Sequence, residues 1–379
     1  MNINIKYFFP LILIIFSFLR FDAIFDGSSR FIPFNSFLFF ALLFIILVTI
    51  KLYRLRKNDY FLMLSVLFCS VFFSGNLLGL EYFKNYYSLI YFCGYLIIFS
   101  AVIKQTDKEI LYKIESYFLK LFVVVFFIES YIRFFYPQLG INDHSLYNLS
   151  EEFNISEFYY FKYGSIMFYD SNYTGLAVLS IFIYTLLSKK KIYTLIYFLI
   201  LLSTFSRSAI ICAILAYLIN LMPDLNRINL NQIIKGLIFL FIIFALVIYG
   251  LEEFIINDSS FLTKLDIFEN FKNKFFNYSV IEFLFGFGYT DGGFIYSPNP
   301  KAYAHAFFPL VLGQIGFLGL LIYFTTLLYV FINGVKLKYY LWIISFLITG
   351  FSLSDPFEPY FFIPMILFIG INAKRVTLI

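Results

Sequence analysis

Residues 306–332 read AFFPLVLGQIGFLGLLIYFTTLLYVFI, twenty-seven consecutive positions without a charged side chain. As a helix this stretch would be about 40 Å long, and the hydrocarbon core of a bilayer is about 30 Å thick. The stretch therefore predicts a membrane-spanning helix. The whole composition agrees, since 61% of the 379 residues are hydrophobic and only 13% are charged. A soluble domain carries roughly 25% charged residues. In water such a chain would expose apolar patches large enough to aggregate, which excludes a soluble globular domain.

Working outward from 306–332, the same pattern recurs over 5–21, 34–50, 60–78, 86–103, 117–136, 168–188, 191–205, 208–222, 233–250, 339–353 and 357–373. The expectation is an all-α polytopic integral membrane protein, a single transmembrane domain over 1–379 with twelve spans. No small-residue cleavage site follows 5–21, so that span reads as a retained helix and not a signal peptide. Two connections are long, 137–167 and 251–305. Loops of that length are functional or disordered, and the Tyr, Phe and Asn content here disfavours disorder. In the second, Leu262, Leu265, Phe268, Phe271 and Phe275 form an apolar stripe flanked by Lys264, Lys272 and Lys274. Such a helix would lie in the membrane interface or pack on the end of the bundle.

Basic residues set the orientation. With a cytoplasmic N-terminus, 17 Lys and Arg fall in seven short inside segments, and ten fall outside. The inside set includes Arg56, Lys57, Lys104, Lys108, the run Lys189-Lys190-Lys191, and Lys338. Four of the outside ten lie in the single loop 251–305, where the positive-inside rule counts least. Both termini are expected in the cytoplasm. The net charge of +5 follows from this topology and implies no nucleic acid. Cys69, Cys93 and Cys212 sit singly in apolar runs, which suggests small buried residues and neither disulfides nor a zinc site.

The polar residues gather on the outside half. Arg207 stands in Ser203-Thr204-Phe205-Ser206-Arg207-Ser208, a polar break between two spans. An arginine there either grips phosphate through two parallel hydrogen bonds or snorkels to headgroups. Arg133 follows Glu129 by four positions, so an ion pair along the helix competes with a ligand role. Phe168-Tyr169-Asp170-Ser171-Asn172-Tyr173 opens a span, with Asp170 or Ser171 as N-cap. Of the two histidines, His144 lies in a polar loop. His305, in Tyr303-Ala304-His305-Ala306, lies where the long loop enters a span and is the side chain best suited to accept a proton near neutral pH. Gly286-Phe287-Gly288, ahead of Asp291-Gly292-Gly293, follows no strand. It reads as a turn and not a nucleotide-binding loop.

Three of these stretches together resemble the bacterial O-antigen polymerases of the Wzy type and the related O-antigen ligases. They are Asp170-Ser171-Asn172 at a helix start, Thr204-Phe205-Ser206-Arg207-Ser208-Ala209, and Gly286-Phe287-Gly288 running through His305 to Gly316-Phe317-Leu318-Gly319. The similarity covers about 125–330. Ala306 stands where the family commonly has Asn and Gln314 where it has Glu, and only Lys272 and Lys274 stand near the place of an arginine before the GxG. The resemblance implies a GT-C-like glycosyltransferase in the bacterial inner membrane, of the kind that builds lipopolysaccharide. It would join oligosaccharide repeat units carried on undecaprenyl diphosphate, on the periplasmic side, with a chain-length regulator and a flippase as partners. No cofactor and no metal are implied. His305 would be the base. Arg207, Arg133, Asp170, Asn172, Lys272 and Tyr303 would hold substrate, and Asp170, Asp291 and Glu129 are the fallback bases. A ligase and a polysaccharide flippase or transporter are the alternatives. A transporter commonly shows internal repeats and polar groups at mid-membrane depth, and the sequence has no evident repeat.

Reporter fusions test the topology. A fusion after Asn270 should read periplasmic and one after Lys190 cytoplasmic; a cytoplasmic reading at Asn270 would turn the whole arrangement over.

Overall fold

The computed structural model describes residues 5–18, 45, 46, 49, 53, 55–61, 63, 64, 80–136, 171–221, 259–298, 304–331, 338, 340–351 and 356–376. Among the described residues the regular structure is entirely helical. In chain order the α-helices are α1 (Ile5–Phe18), α2 (Leu80–Gln105), α3 (Lys108–Phe135), α4 (Ser171–Leu187), α5 (Lys191–Ser203), α6 (Arg207–Leu221), α7 (Ser259–Phe275), α8 (Val280–Phe285), α9 (Tyr289–Phe294), α10 (Phe307–Phe331), α11 (Tyr340–Gly350) and α12 (Ile363–Val376). A 3₁₀ turn, Pro359–Phe361, precedes α12.

Nine of the twelve apolar intervals coincide with described helices, while 34–50, 60–78 and 233–250 lie wholly or mostly outside the described residues. By length and composition, α10 is the one described helix long and apolar enough to cross a membrane. Other apolar stretches, such as Ser171–Leu187 and Lys191–Ser203, are shorter. One boundary differs clearly: the helix expected over 117–136 begins at Lys108. Its first turns are charged, which hid them from a hydropathy reading. They are nonetheless amphipathic, burying Leu111, Ile114 and Glu115 in line with Phe118, Phe122, Phe126, Glu129 and Arg133, a helical three-and-four spacing.

α4 lies at the centre. Fourteen of its 17 residues are buried, the mark of a helix enclosed on every side. Its polar side chains are tied to its neighbours. Trp342 Nε1 of α11 donates to Ser180 Oγ at 3.1 Å, and the Ser180 hydroxyl donates to the carbonyl of Phe361. The Tyr184 hydroxyl donates to Glu115 of α3 at 2.7 Å. Cys93 and Cys212 are fully buried, as expected of small apolar side chains.

The contacts give the bundle two chemically different ends. Glu115 pairs with Lys190 at 3.2 Å, which brings the first turns of α3 to the α4–α5 turn. Lys338 Nζ donates to the carbonyl of Asn220, near the end of α6. Tyr329, late in α10, donates to Asp59 and has Lys104 over its ring. Phe8 of α1 lines the same cleft as Lys108 and Lys113, and Gly370 of α12 lies against Ile103. The basic segments thus share one end, where α1 starts and α12 finishes. The last turn of α3, the first of α4 and the α5–α6 turn lie at the other.

Replacing Ser180 with Ala would take the hydroxyl donor from the carbonyl of Phe361 and leave the indole N–H of Trp342 only its bond to the Ser180 backbone carbonyl at 3.2 Å. Ser180→Ala should lower stability by about 1–3 kcal/mol in thermal or denaturant unfolding of the solubilised protein. Ser188→Ala, in the half-buried α4–α5 turn, should change it by less than about 0.5 kcal/mol.

Candidate functional site

At the end opposite the basic segments, α3 finishes on a buried charge pair. Arg133 is 0% exposed and Glu129 2%. Arg133 Nη2 lies 3.1 Å from Glu129 Oε1, and Nη1 donates to the carbonyl of Ser203 at 3.1 Å. Ser130 Oγ and Ser203 Oγ hydrogen-bond to each other at 2.8 Å. Of the two roles the four-residue spacing allowed Arg133, the ion pair is therefore present, buried and not on the helix surface. A carboxylate within hydrogen-bonding distance is what makes a fully desolvated guanidinium tolerable. The pair also grips the end of α5.

The α5–α6 turn begins there. Thr204 ends α5, its hydroxyl donating back to the carbonyl of Leu201 at 2.7 Å. Phe205 turns the chain in the left-handed region, φ 54°, and its ring lies 5.8 Å from that of Phe134. A non-glycine residue there stores on the order of 1–2 kcal/mol. Ser206 then takes the N-cap position of α6, since its carbonyl accepts the first helical bond, from Ile210 N–H at 2.9 Å. An N-cap serine ordinarily turns its hydroxyl onto a free helix N–H. Ser206 Oγ is instead buried with no hydrogen-bond partner among the described residues, and so is Ser171 Oγ. Ser206 faces α4 at Gly175, where even a methyl group would meet Ser206 Cβ at 2.6 Å. Ser171 lies one turn nearer the end of the bundle on the same helix. Arg207, the first residue of α6, is exposed.

His305 is also exposed, between the buried Ala304 and Ala306. Ala304 N–H donates to the carbonyl of Gly293 at 2.7 Å, and Ala304 and Ala306 pack with Ile267 and Tyr296. α10 starts two residues later, with Phe307 against Gly350 at the end of α11. α11 runs antiparallel to α6, since Lys338 meets Asn220 and Cys212 meets Ser345. The end of α11, the start of α10 and His305 therefore lie at the same end of the bundle as Arg207. α7 covers this end, with Phe268 5.7 Å from Phe351. Its predicted stripe divides: Phe268 and Phe271 pack inward beside the buried Ile267, while Leu262 and Leu265 stay exposed. Lys274 Nζ donates to the carbonyl of Ile295 at 2.6 Å, holding the segment after α9, whereas Lys272 is exposed.

The glycines of the third motif meet in one joint. α10 breaks at Gly316, φ 64° and ψ −170°, and the carbonyl of Gly313, freed by the break, accepts from Phe287 N–H at 2.7 Å. At Gly316 a Cβ would stand 2.5 Å from Gly286 N, and at Gly286, φ 77°, a Cβ would stand 2.7 Å from Gly313 O. The GxG is thus a wedge in a broken helix, a role no local pattern announces. α8 leads into it from a capping box between Ser279 and Glu282. Hydrogen bonds from the Ser279 side chain and backbone hold the Glu282 carboxyl below its ordinary value. Burial, and then the Glu282 charge, push the Tyr278 hydroxyl up, so it stays a neutral donor.

The structure therefore brings Arg133, the Thr204–Arg207 turn and the Ser171–Asn172 helix start to one junction, with His305 and Lys272 on elements at the same end. Asn172 is half-buried in the first turn of α4. Asp170, His144 and Tyr303 lie outside the described residues, and Asp291 is described only as part of the α9 backbone. Sequence reasoning missed the buried hydroxyls of Ser171 and Ser206 and the burial of Arg133. The serines beside Arg207 were the available signal. Compared with known protein families, with curated proteins and with solved structures, the chain matches none.

Removing one member of the buried pair should show its structural role. Glu129→Ala leaves Arg133 desolvated and uncompensated, and should cost about 3–5 kcal/mol of stability. The double variant Glu129→Leu with Arg133→Met should recover most of that loss in the same unfolding assay. A single variant as stable as the parent would mean that the pair is not what holds the turn.

Proposed function

We propose that the chain is a polytopic membrane glycosyltransferase of the O-antigen-polymerase type. It would join undecaprenyl-diphosphate-linked oligosaccharide repeat units at the periplasmic face of a bacterial inner membrane. The observation that carries the reading is the α5–α6 turn. An exposed arginine stands on the first residue of a 15-residue helix whose capping serine hydroxyl is buried and unspent, with a second such hydroxyl on the adjoining helix start. Free helix N–H groups, guanidinium and hydroxyl donors form an anion site, the chemistry that a departing diphosphate requires.

Membrane insertion is supported by the apolar outer faces. Phe127 and Ile128 on α3, Ile192, Leu195 and Leu199 on α5, Ile211 on α6 and Leu328 on α10 are all exposed, a surface that would aggregate in water and is at ease in lipid. The gathering of the basic segments at one end fits the positive-inside rule and supports a candidate site that faces the periplasm.

In this reading the acceptor sugar hydroxyl attacks the anomeric carbon of the donor. His305 takes its proton as the new C–O bond forms, and the anomeric bond to the lipid diphosphate breaks. Arg207 and the α6 N-terminus stabilise the charge on the leaving diphosphate. Arg133 serves indirectly, by holding the turn that presents Arg207. Asp170, Asn172, Lys272 and Tyr303 flank the substrate. An O-antigen ligase would use the same donor chemistry with lipid A core as acceptor. A transporter would call for polar groups at mid-depth, and the charged pairs described here lie toward the two ends.

Purified protein given lipid-linked repeat units in detergent should lengthen them with no second compartment present. Arg207→Lys should fail nearly as fully as Arg207→Ala, because an ammonium cannot reproduce the bidentate fork. His305→Gln should lose about 10²–10⁴-fold in rate with expression unchanged. Normal chain growth by both Arg207→Lys and His305→Gln would overturn the assignment of the site, and absence of growth from folded parent protein would overturn the function.

A further inference from the structure

The basic end holds a second feature that the proposed chemistry does not use. A groove of about 710 Å³ opens to the outside between α4, α5 and α6. Its walls are apolar: Phe182 and Leu186 of α4, Leu195 and Phe198 of α5, Ile214 and Tyr217 of α6. Its mouth is basic, lined by Lys189 and Lys191. From Lys191 to Phe198 it follows α5 for about 10 Å, the depth of a headgroup linkage and the first part of an acyl chain.

The three lysines of the turn are used differently. Lys190 turns inward, to Glu115 at 3.2 Å. Lys189 and Lys191 have no carboxylate partner among the described residues and face the groove. Lys189 also sits where glycine would be cheapest. It closes α4 in the left-handed region, φ 58°, while Lys190 N–H reaches back to the carbonyl of Thr185 at 2.9 Å. That is the Schellman ending, whose left-handed position is ordinarily glycine. A lysine there strains the backbone and delivers a charge to the groove.

We infer that this groove is a binding site for an anionic phospholipid of the cytoplasmic leaflet, with the phosphate between Lys189 and Lys191 and an acyl chain along α5 and α6. The occupant follows from the juxtaposition: an apolar channel leads away from two uncompensated ammonium groups, and a phospholipid with net negative charge matches both parts. A free anion would use only the mouth, and a zwitterionic lipid would leave the ammonium charges half answered. The inference rests on the membrane-spanning reading but not on the glycosyl-transfer chemistry at the opposite end.

The test uses the full chain in mild detergent, with phosphatidylglycerol and phosphatidylcholine of identical acyl chains as probes and bound lipid counted by native mass spectrometry. Phosphatidylglycerol should be retained in preference. Lys189→Gln and Lys191→Gln should each weaken it about fivefold, the contribution of one lysine beside an anionic lipid surface, and leave phosphatidylcholine unchanged. Ile214→Trp, on an exposed wall position, should displace both lipids by filling the channel. Lys57→Gln with Lys113→Gln, exposed at the same end but outside the groove, should change nothing. Equal loss in this control would mean diffuse attraction, and retention through Ile214→Trp would mean that no chain enters the groove. Full competition by glycerol phosphate would mean a free-anion site; each of these three outcomes overturns the proposal. Alkaline carbonate extraction of the parent separates the two layers of the argument. Release without detergent defeats the membrane reading itself, whereas a chain that stays in the membrane but shows no lipid preference defeats only this site.

Discussion

A helix with no outward face must find partners inside the protein for every polar group it carries, and α4 is such a helix. Ser180 and Tyr184 sit where neither water nor lipid can answer them. An unpaired buried hydroxyl costs on the order of 1–3 kcal/mol, so their partners fix the neighbours. Trp342 ties α11 to α4, the carbonyl of Phe361 ties in the turn before α12, and Glu115 ties in α3. Directional bonds matter more here than apolar contact. If the surroundings are lipid, apolar burial does little to distinguish one helix packing from another.

The same constraint explains why the ends of α4 are chemically rich. At its last turn Glu115 answers both Tyr184 and Lys190, so one buried carboxylate serves a hydroxyl and an ammonium. At its first turn the account does not close, because Ser171 and Ser206 keep hydroxyls without partners among the described residues. Native structures rarely tolerate such groups without a reason. Two of them beside a left-handed Phe205 mark the place where local rules are broken together, and functional sites are where such breaks concentrate.

How far the sequence could be read follows from the range of the interactions. Apolar runs are local, and the nine that fall on described residues are helices. The Glu129–Arg133 pair was legible from its spacing, but its burial was not, because that depends on Ser203 seventy positions away. The charged start of α3 escaped a hydropathy reading although its amphipathic spacing was present. Gly286 and Gly316 were visible as motif residues. Their meeting was not, since a break inside the one described helix long and apolar enough to cross a membrane is set by the loop that fills it. The stripe on α7 left two outcomes open, and tertiary contact with Phe351, Ala304 and Ala306 chose packing for its central residues.

The two arginines at the candidate site show how burial divides labour between identical side chains. Arg133 has paid its desolvation and is compensated by Glu129, so binding a further anion there would leave the carboxylate beside it as a repulsive neighbour. Its charge is already committed. Arg207 is exposed at a helix start, where the dipole adds to its own positive potential. On the proposed function, a substitution at Arg133 would therefore act first on the stability of the turn, and one at Arg207 first on the bound diphosphate. In the proposed site the exposed arginine would supply the electrostatic work, and the buried one holds the turn that carries it.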